Sequence, residues 1–154
     1  MWKEQEGWQT MNTLCRLKES AERTIQPFCQ GRGITPVQLR ILLCLYFDGG
    51  QTVGELAGKT GMAGTNNSAQ CKRLAAMGYL DRQRDEHDER RVQVRLSADG
   101  QNLIDAFLRE KGDIYIDIFQ QCSGEDRQLF NCAFSRLAQL MDNNTNQGRG
   151  QENG

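Results

Sequence analysis

The stretch Asp85 to Ser97, DEHDERRVQVRLS, changes character at its midpoint. Asp85, Glu86, Asp88, Glu89, Arg90 and Arg91 crowd around His87. Then Val92, Val94 and Leu96 alternate with Gln93, Arg95 and Ser97. Alternation with a period of two marks a half-buried strand, because successive side chains point to opposite faces. Tyr79 to Arg84 reads as the partner strand, which makes the charged cluster the tip of a hairpin. Taken alone, such a tip is a solvated turn. Its neighbours decide whether it does more.

Upstream of the hairpin the signals are helical. Thr35-Pro36-Val37-Gln38 is a helix start: Thr35 caps, Pro36 suits the first helical position and Gln38 reaches back. The helix carries LRILLCLYF, apolar on most sides and so a central buried element, and stops at Gly49-Gly50. Thr52-Val53-Gly54-Glu55 is a second capping box, opening a short helix that ends at Gly61. A further helix runs from about Thr65 to Met77, and Gly78 ends it. Two short helices joined by a glycine-containing turn and followed by a charged hairpin form a winged helix. In that arrangement the second helix of the pair enters a major groove and the hairpin reaches the flanking backbone or minor groove.

The ends of the chain are helical too. One helix is expected over about Gly7 to Cys29, with Trp8, Met11, Leu14, Cys15 and Leu17 at helical spacing. Another, capped by Ser97, runs to about Gln121, and a last one starts at Ser123-Gly124-Glu125-Asp126 and continues to about Met141. The polar, glycine-rich residues 142–154 read as a disordered tail. The expected fold is therefore mainly α with a small β-hairpin wing.

Composition bounds the function. The chain has 154 residues, about one domain, with 25% charged residues and a formal net charge of −1. A protein basic all over is excluded, but a local basic face is not. From Lys72 to Arg95 there are seven basic and five acidic residues, a net of +2. The N-terminal residues hold no apolar run fit for a secretory signal, and no run is long enough to span a bilayer, so the chain reads as cytoplasmic with no membrane partner. Its six cysteines are then expected to be reduced, and no C-x-x-C spacing points to zinc. Most of them read as small apolar core residues. His87 is the only histidine, and a hairpin tip is a poor metal site. No metal cluster, phosphate loop or nucleophile with a base is visible, so neither enzymatic chemistry nor a cofactor is expected.

The tip has a spacing suited to DNA. A wing needs an arginine held extended, because a flexible guanidinium loses entropy on docking. A carboxylate two residues earlier can hold it, as Asp88 is placed to hold Arg90. Narrow minor grooves attract arginine.

At these residues the chain resembles the MarR family of bacterial winged helix-turn-helix transcriptional regulators. The resemblance is carried by Gly78-Tyr79-Leu80-Asp81-Arg82, by Asp85-Glu86-His87-Asp88-Glu89-Arg90-Arg91 and by Val94-Arg95-Leu96-Ser97-Ala98-Asp99-Gly100. These match a pattern of G-L-hydrophobic-x-R, D-x-x-D-x-R and L-[ST]-x-x-G, and the helix order agrees over about residues 7–141. The resemblance implies a homodimeric repressor of transcription that reads a pseudo-palindromic operator in double-stranded DNA. Residues 1–34 and 97–141 would form a helical dimerisation region, and residues 35–96 the winged helix-turn-helix lobe.

The polar side of the helix GTNNSAQCKRLAAM offers Thr65, Asn66, Asn67, Ser68, Gln70, Lys72 and Arg73 to DNA. Asn and Gln pair with adenine, Arg with guanine, and Ser or Thr with phosphates or bases. Asn67 departs from the resemblance, since it stands where the family usually has an apolar residue; the alternative there is a part-buried side chain that reads no base. Arg84, Asp88, Arg90 and Arg91 are the wing candidates. The apolar side chains of the terminal helices read as dimer core. Members of the family often bind a small aromatic or anionic effector, and Met11, Cys15, Leu39 and Phe107 are candidates to line its pocket.

Two alternatives accompany this reading. One branch of the family senses organic hydroperoxides through a first-helix cysteine. Asn12-Thr13-Leu14-Cys15 resembles it locally, with Cys122 or Cys132 as resolving partner. The other is a winged-helix adaptor that binds protein and not DNA.

Overall fold

A computed structural model describes residues 2–84, 88 and 91–149. In chain order the elements are α1 (Trp2–Gln30), α2 (Pro36–Asp48), β1 (Gln51–Thr52), α3 (Val53–Thr60), α4 (Gly64–Ala76), β2 (Leu80–Arg84), β3 (Val92–Leu96), α5 (Ala98–Gln120) and α6 (Gly124–Arg149). The chain divides into two units, Met1–Lys111 and Gly112–Gly154.

The helix starts follow the local chemistry of the sequence. Thr35 Oγ1 accepts from the Gln38 backbone N–H at 3.2 Å while Gln38 Oε1 accepts from the Thr35 N–H at 3.0 Å. Thr52 and Glu55 repeat the reciprocal bonds at the start of α3. Each box satisfies backbone donors that the first helical turn leaves without partners. Gly61 ends α3 in the left-handed region, at φ 65°, where a side chain would be strained.

The sheet holds one strand more than the hairpin. β2 and β3 pair antiparallel with Leu80 opposite Leu96 and Arg84 opposite Val92. β1 adds to the other side of β3, with Gln51 opposite Val94, so the order is β1-β3-β2. β1 has only two residues, and its second is also the α3 cap. Neither periodicity nor length marks so short a strand in the sequence.

The core of the first unit joins the helices to this sheet. Ile41, Leu42, Leu56, Leu74 and Ile104 are fully buried, and Leu39 and Val94 nearly so. Phe28 of α1 meets Phe107 of α5 edge to face, with centroids 5.1 Å apart. Arg32 lies 3.7 Å over the Phe28 ring and pairs with Glu110.

The join between wing and α5 explains the Leu96-Ser97-Ala98-Asp99-Gly100 run. Ser97 Oγ accepts from the Gly100 N–H at 3.1 Å and donates to the Gly78 carbonyl. The Ser97 N–H donates to the Tyr79 carbonyl at 3.1 Å. A Cβ on Gly100 would sit 2.1 Å from that same carbonyl oxygen. Only glycine lets α5 start this close to the α4–β2 turn.

Three expectations need correction. α1 begins at Trp2, ahead of Gly7. α6 continues to Arg149, past the expected boundary at Met141 and into the tail expected to be disordered from 142 to 154. Between Asp142 and Gln147 there is neither proline nor glycine, and extending a formed helix costs little per residue. Of the six cysteines, only Cys29 and Cys71 are buried; Cys15 and Cys132 are exposed, and Cys44 and Cys122 half-buried. No helix among the described residues is long and apolar enough to cross a membrane.

Candidate nucleic-acid interface

α4 is polar and exposed on one side and buried on the other. Cys71 and Leu74 are fully buried and fix its inner face. Burial pushes the Cys71 thiol up, against a weaker pull from the nearby Arg82 guanidinium, so it stays protonated. Thr65, Asn66, Lys72 and Arg73 are exposed, and Ser68 and Gln70 are half-buried. Ala63 at the N-cap gives no side-chain hydrogen bond to the first turn of α4. Uncapped N–H groups at a helix start favour anionic partners.

Asn67 does not share this outer face. It is fully buried, and its Nδ2 donates to the Val53 carbonyl at 2.8 Å. It ties α4 to the start of α3 and lies apart from the exposed side chains of the helix. Its Oδ1 has no hydrogen-bond partner among the described residues.

Gln70 is held differently. Gln38 Nε2 donates to Gln70 Oε1 at 3.0 Å, and Gln70 Nε2 donates to Asn66 Oδ1 at 3.4 Å. Gln38 was legible only as a capping residue. Its partner lies 32 positions away, and nothing local in the sequence points to it.

The wing strands present exposed cations. Arg82 and Arg84 on β2, and Arg91 ahead of β3, are all exposed. Arg95 is engaged with Asp81 across the strands, Nε to Oδ2 at 3.3 Å. The Arg91 N–H donates to the Asp88 carbonyl at 2.8 Å. Arg91 also bears on the α3 cap: with Lys59 it adds to the hydrogen bonds from Thr52 that hold the Glu55 carboxyl below its ordinary range. Arg90, expected as the minor-groove residue, lies outside the described residues, as do Asp85, Glu86, His87 and Glu89.

The expected effector residues divide between core and surface. Leu39 and Phe107 are 1% and 4% exposed, whereas Met11 is 50% exposed and Cys15 is exposed on α1. A groove of about 530 Å³ lies elsewhere, lined by Gly50, Asp81, Gln83, Gln93 and Arg95 among others. Among the thiols, burial raises Cys29 and Cys44 as well as Cys71. No group of three or more metal-ligating residues is present among the described residues.

Known proteins share this arrangement. The family model described as the MarR family matches residues 32–91. The HTH-type transcriptional regulator YcgE of Bacillus subtilis is 30% identical over 118 residues, covering 76% of each chain. The crystal structure of NadR in complex with 4-hydroxyphenylacetate superposes with a TM-score of 0.72 at 25% identity, covering 82% of this chain and 89% of NadR. The MepR–DNA complex of S. aureus gives a TM-score of 0.71 at 20% identity, covering 84% and 96%. Relatives of this kind are transcriptional regulators and not enzymes. This chain belongs to the MarR family of transcriptional regulators.

Proposed function

We propose that two copies of this chain form a dimer that binds a pseudo-palindromic operator and represses transcription until a small effector releases it. The observation that carries the reading is the exposed polar face of α4, with Thr65, Asn66, Lys72 and Arg73, beside a wing bearing exposed Arg82, Arg84 and Arg91. In this reading α4 enters the major groove. Arg84, Arg91 and Arg90, the last supported by Asp88, reach the flanking backbone or minor groove.

Dimerisation is supported by apolar surface at both ends of the chain. Trp8, Met11 and Leu17 are exposed on α1, and Ile118, Phe119, Leu129, Phe134 and Met141 on the second unit. Side chains of this kind in water call for a partner, and residues 1–34 and 97–141 are the proposed dimerisation region. An aromatic or anionic effector is supported by the 4-hydroxyphenylacetate complex of NadR. Cysteine sensing is a second reading, favoured by the exposure of Cys15 and Cys132.

Selection of genomic fragments by the purified protein tests the proposal, with Arg90→Ala as control and with reduced and peroxide-treated arms. A palindromic site enriched by the wild type and lost in Arg90→Ala is expected. Release by aromatic acids would support effector control, and reversible release by peroxide would put the cysteine reading first. No enriched duplex at low salt would overturn DNA binding and favour a protein adaptor.

A further inference from the structure

The hydrogen bonds joining α2 to α4 form a directed chain. It starts at the Thr35 N–H, which meets Gln38 Oε1 at 3.0 Å. A backbone N–H only donates, so the atom it meets on Gln38 is the oxygen, and the other is the nitrogen. The usual ambiguity between amide oxygen and nitrogen is thereby removed at the first link. Gln38 Nε2 donates to Gln70 at 3.0 Å, which makes the accepting atom Oε1 and the remaining one Nε2. That Nε2 faces Asn66 at 3.4 Å and takes up its Oδ1. The Asn66 Nδ2 is left turned toward Met62, whose sulfur is 4.0 Å away and a weak acceptor. Gln38 is 5% exposed, so the chain begins in the core and ends on the exposed face of α4.

We propose that Gln38, out of reach of any base, determines specificity through Gln70, which takes up the Asn66 carbonyl and leaves its NH₂ group, held only by the weak Met62 acceptor, to meet the base edge. The inference rests on α4 being the recognition helix. Asn66 then reads a major-groove acceptor, such as guanine O6 or N7 or thymine O4, in preference to the amino group of adenine or cytosine.

Gln38→Glu separates this from a merely structural role. A glutamate keeps the acceptor for the Thr35 N–H, as Glu55 does for Thr52, so the cap survives. It also presents an acceptor where Gln38 presents a donor. Gln70 then turns its Nε2 inward, Asn66 turns in response, and the Asn66 carbonyl leads.

The test is selection from randomised duplexes by full-length wild type, Gln38→Glu, Gln70→Ala and Asn66→Ala. The base pair of interest is the one whose preference vanishes in Asn66→Ala. Base analogues at that pair then remove single groups: 7-deazaguanine lacks N7, and purine in place of adenine lacks the amino group. The wild type should lose roughly tenfold in affinity when an acceptor is removed and little when an amino group is removed. Gln38→Glu should prefer a different pair and show the reverse dependence, with half-site spacing unchanged. Gln70→Ala should accept both kinds of edge. Unchanged preference in Gln38→Glu and Gln70→Ala overturns the proposal, as does an amino-group dependence in the wild type or an Asn66→Ala motif identical to the wild type. If Gln38→Glu does not fold, Gln70→Ala decides alone. A wild type that enriches no sequence overturns the repressor reading and this one together; a clear wild-type motif indifferent to these variants overturns only this one.

Discussion

Asn67, in the middle of the stretch Thr65 to Gln70, points inward and donates its Nδ2 to the Val53 carbonyl 2.8 Å away. Its type invites a DNA contact as much as that of Asn66 beside it, but its burial removes it from the exposed face. Asn67→Ala should lower stability by roughly 1–3 kcal/mol, the cost of breaking a buried hydrogen bond. The selected operator should keep its wild-type consensus. Denaturant unfolding and sequence selection check the two halves separately.

Gly100 should tolerate no side chain. A Cβ there would overlap the Tyr79 carbonyl, which is backbone and cannot swing away. Gly100→Ala should cost about 2–4 kcal/mol, in the range of overpacking and strain. Ser97→Ala, which removes the cap and the hydroxyl's bond to the Gly78 carbonyl, should cost about 1–2 kcal/mol. Thermal unfolding of the two variants should rank them in that order.

Gln51 is a case where a substitution should help. It is 7% exposed, and neither amide atom has a hydrogen-bond partner among the described residues. Replacing an unsatisfied buried amide by an apolar side chain of similar size removes a desolvation cost of about 1–3 kcal/mol. Gln51→Leu should raise the unfolding midpoint without changing the denaturant slope. A lower midpoint would show that the amide is needed where it stands.

The two capping carboxylates should make stability fall in acid. Glu55 is held below its ordinary range first by the Thr52 N–H, and Asp126 first by the Ser123 hydroxyl. A folded-state pKa below the unfolded one contributes stability that is present above the unfolded value, near about 4.3 for Glu and 3.9 for Asp. That contribution is lost as pH falls through the folded value. Glu55→Gln should therefore lie below the wild type in Tm at neutral pH and converge with it near pH 3. A gap constant with pH would mean that charge plays no part in the cap.

The sequence was legible where the physics is local. The caps Thr35–Gln38, Thr52–Glu55 and Ser123–Asp126 each act within three residues. The hairpin of β2 and β3 showed in its alternation. The same reasoning could not see β1, because two residues carry no period. It placed Asn67 with its polar neighbours on residue type, although the apolar residue usual at that position in the family already pointed to the inner face. It saw one end of Gln38 and not the other, since contact with Gln70 is a consequence of how α2 packs on α4.

The most direct measurement of DNA reading by α4 and the wing is the salt dependence of operator affinity for the wild type, Lys72→Ala and Arg84→Ala. Each protein–phosphate contact contributes about 0.9 to the slope of log K against log salt. A steep negative slope is expected for the wild type. Each substitution should reduce it by about 2 for a dimer bound to two half-sites, with the preferred sequence retained. Identical slopes in all three proteins, or no salt dependence in the wild type, would contradict the assignment of this face to DNA.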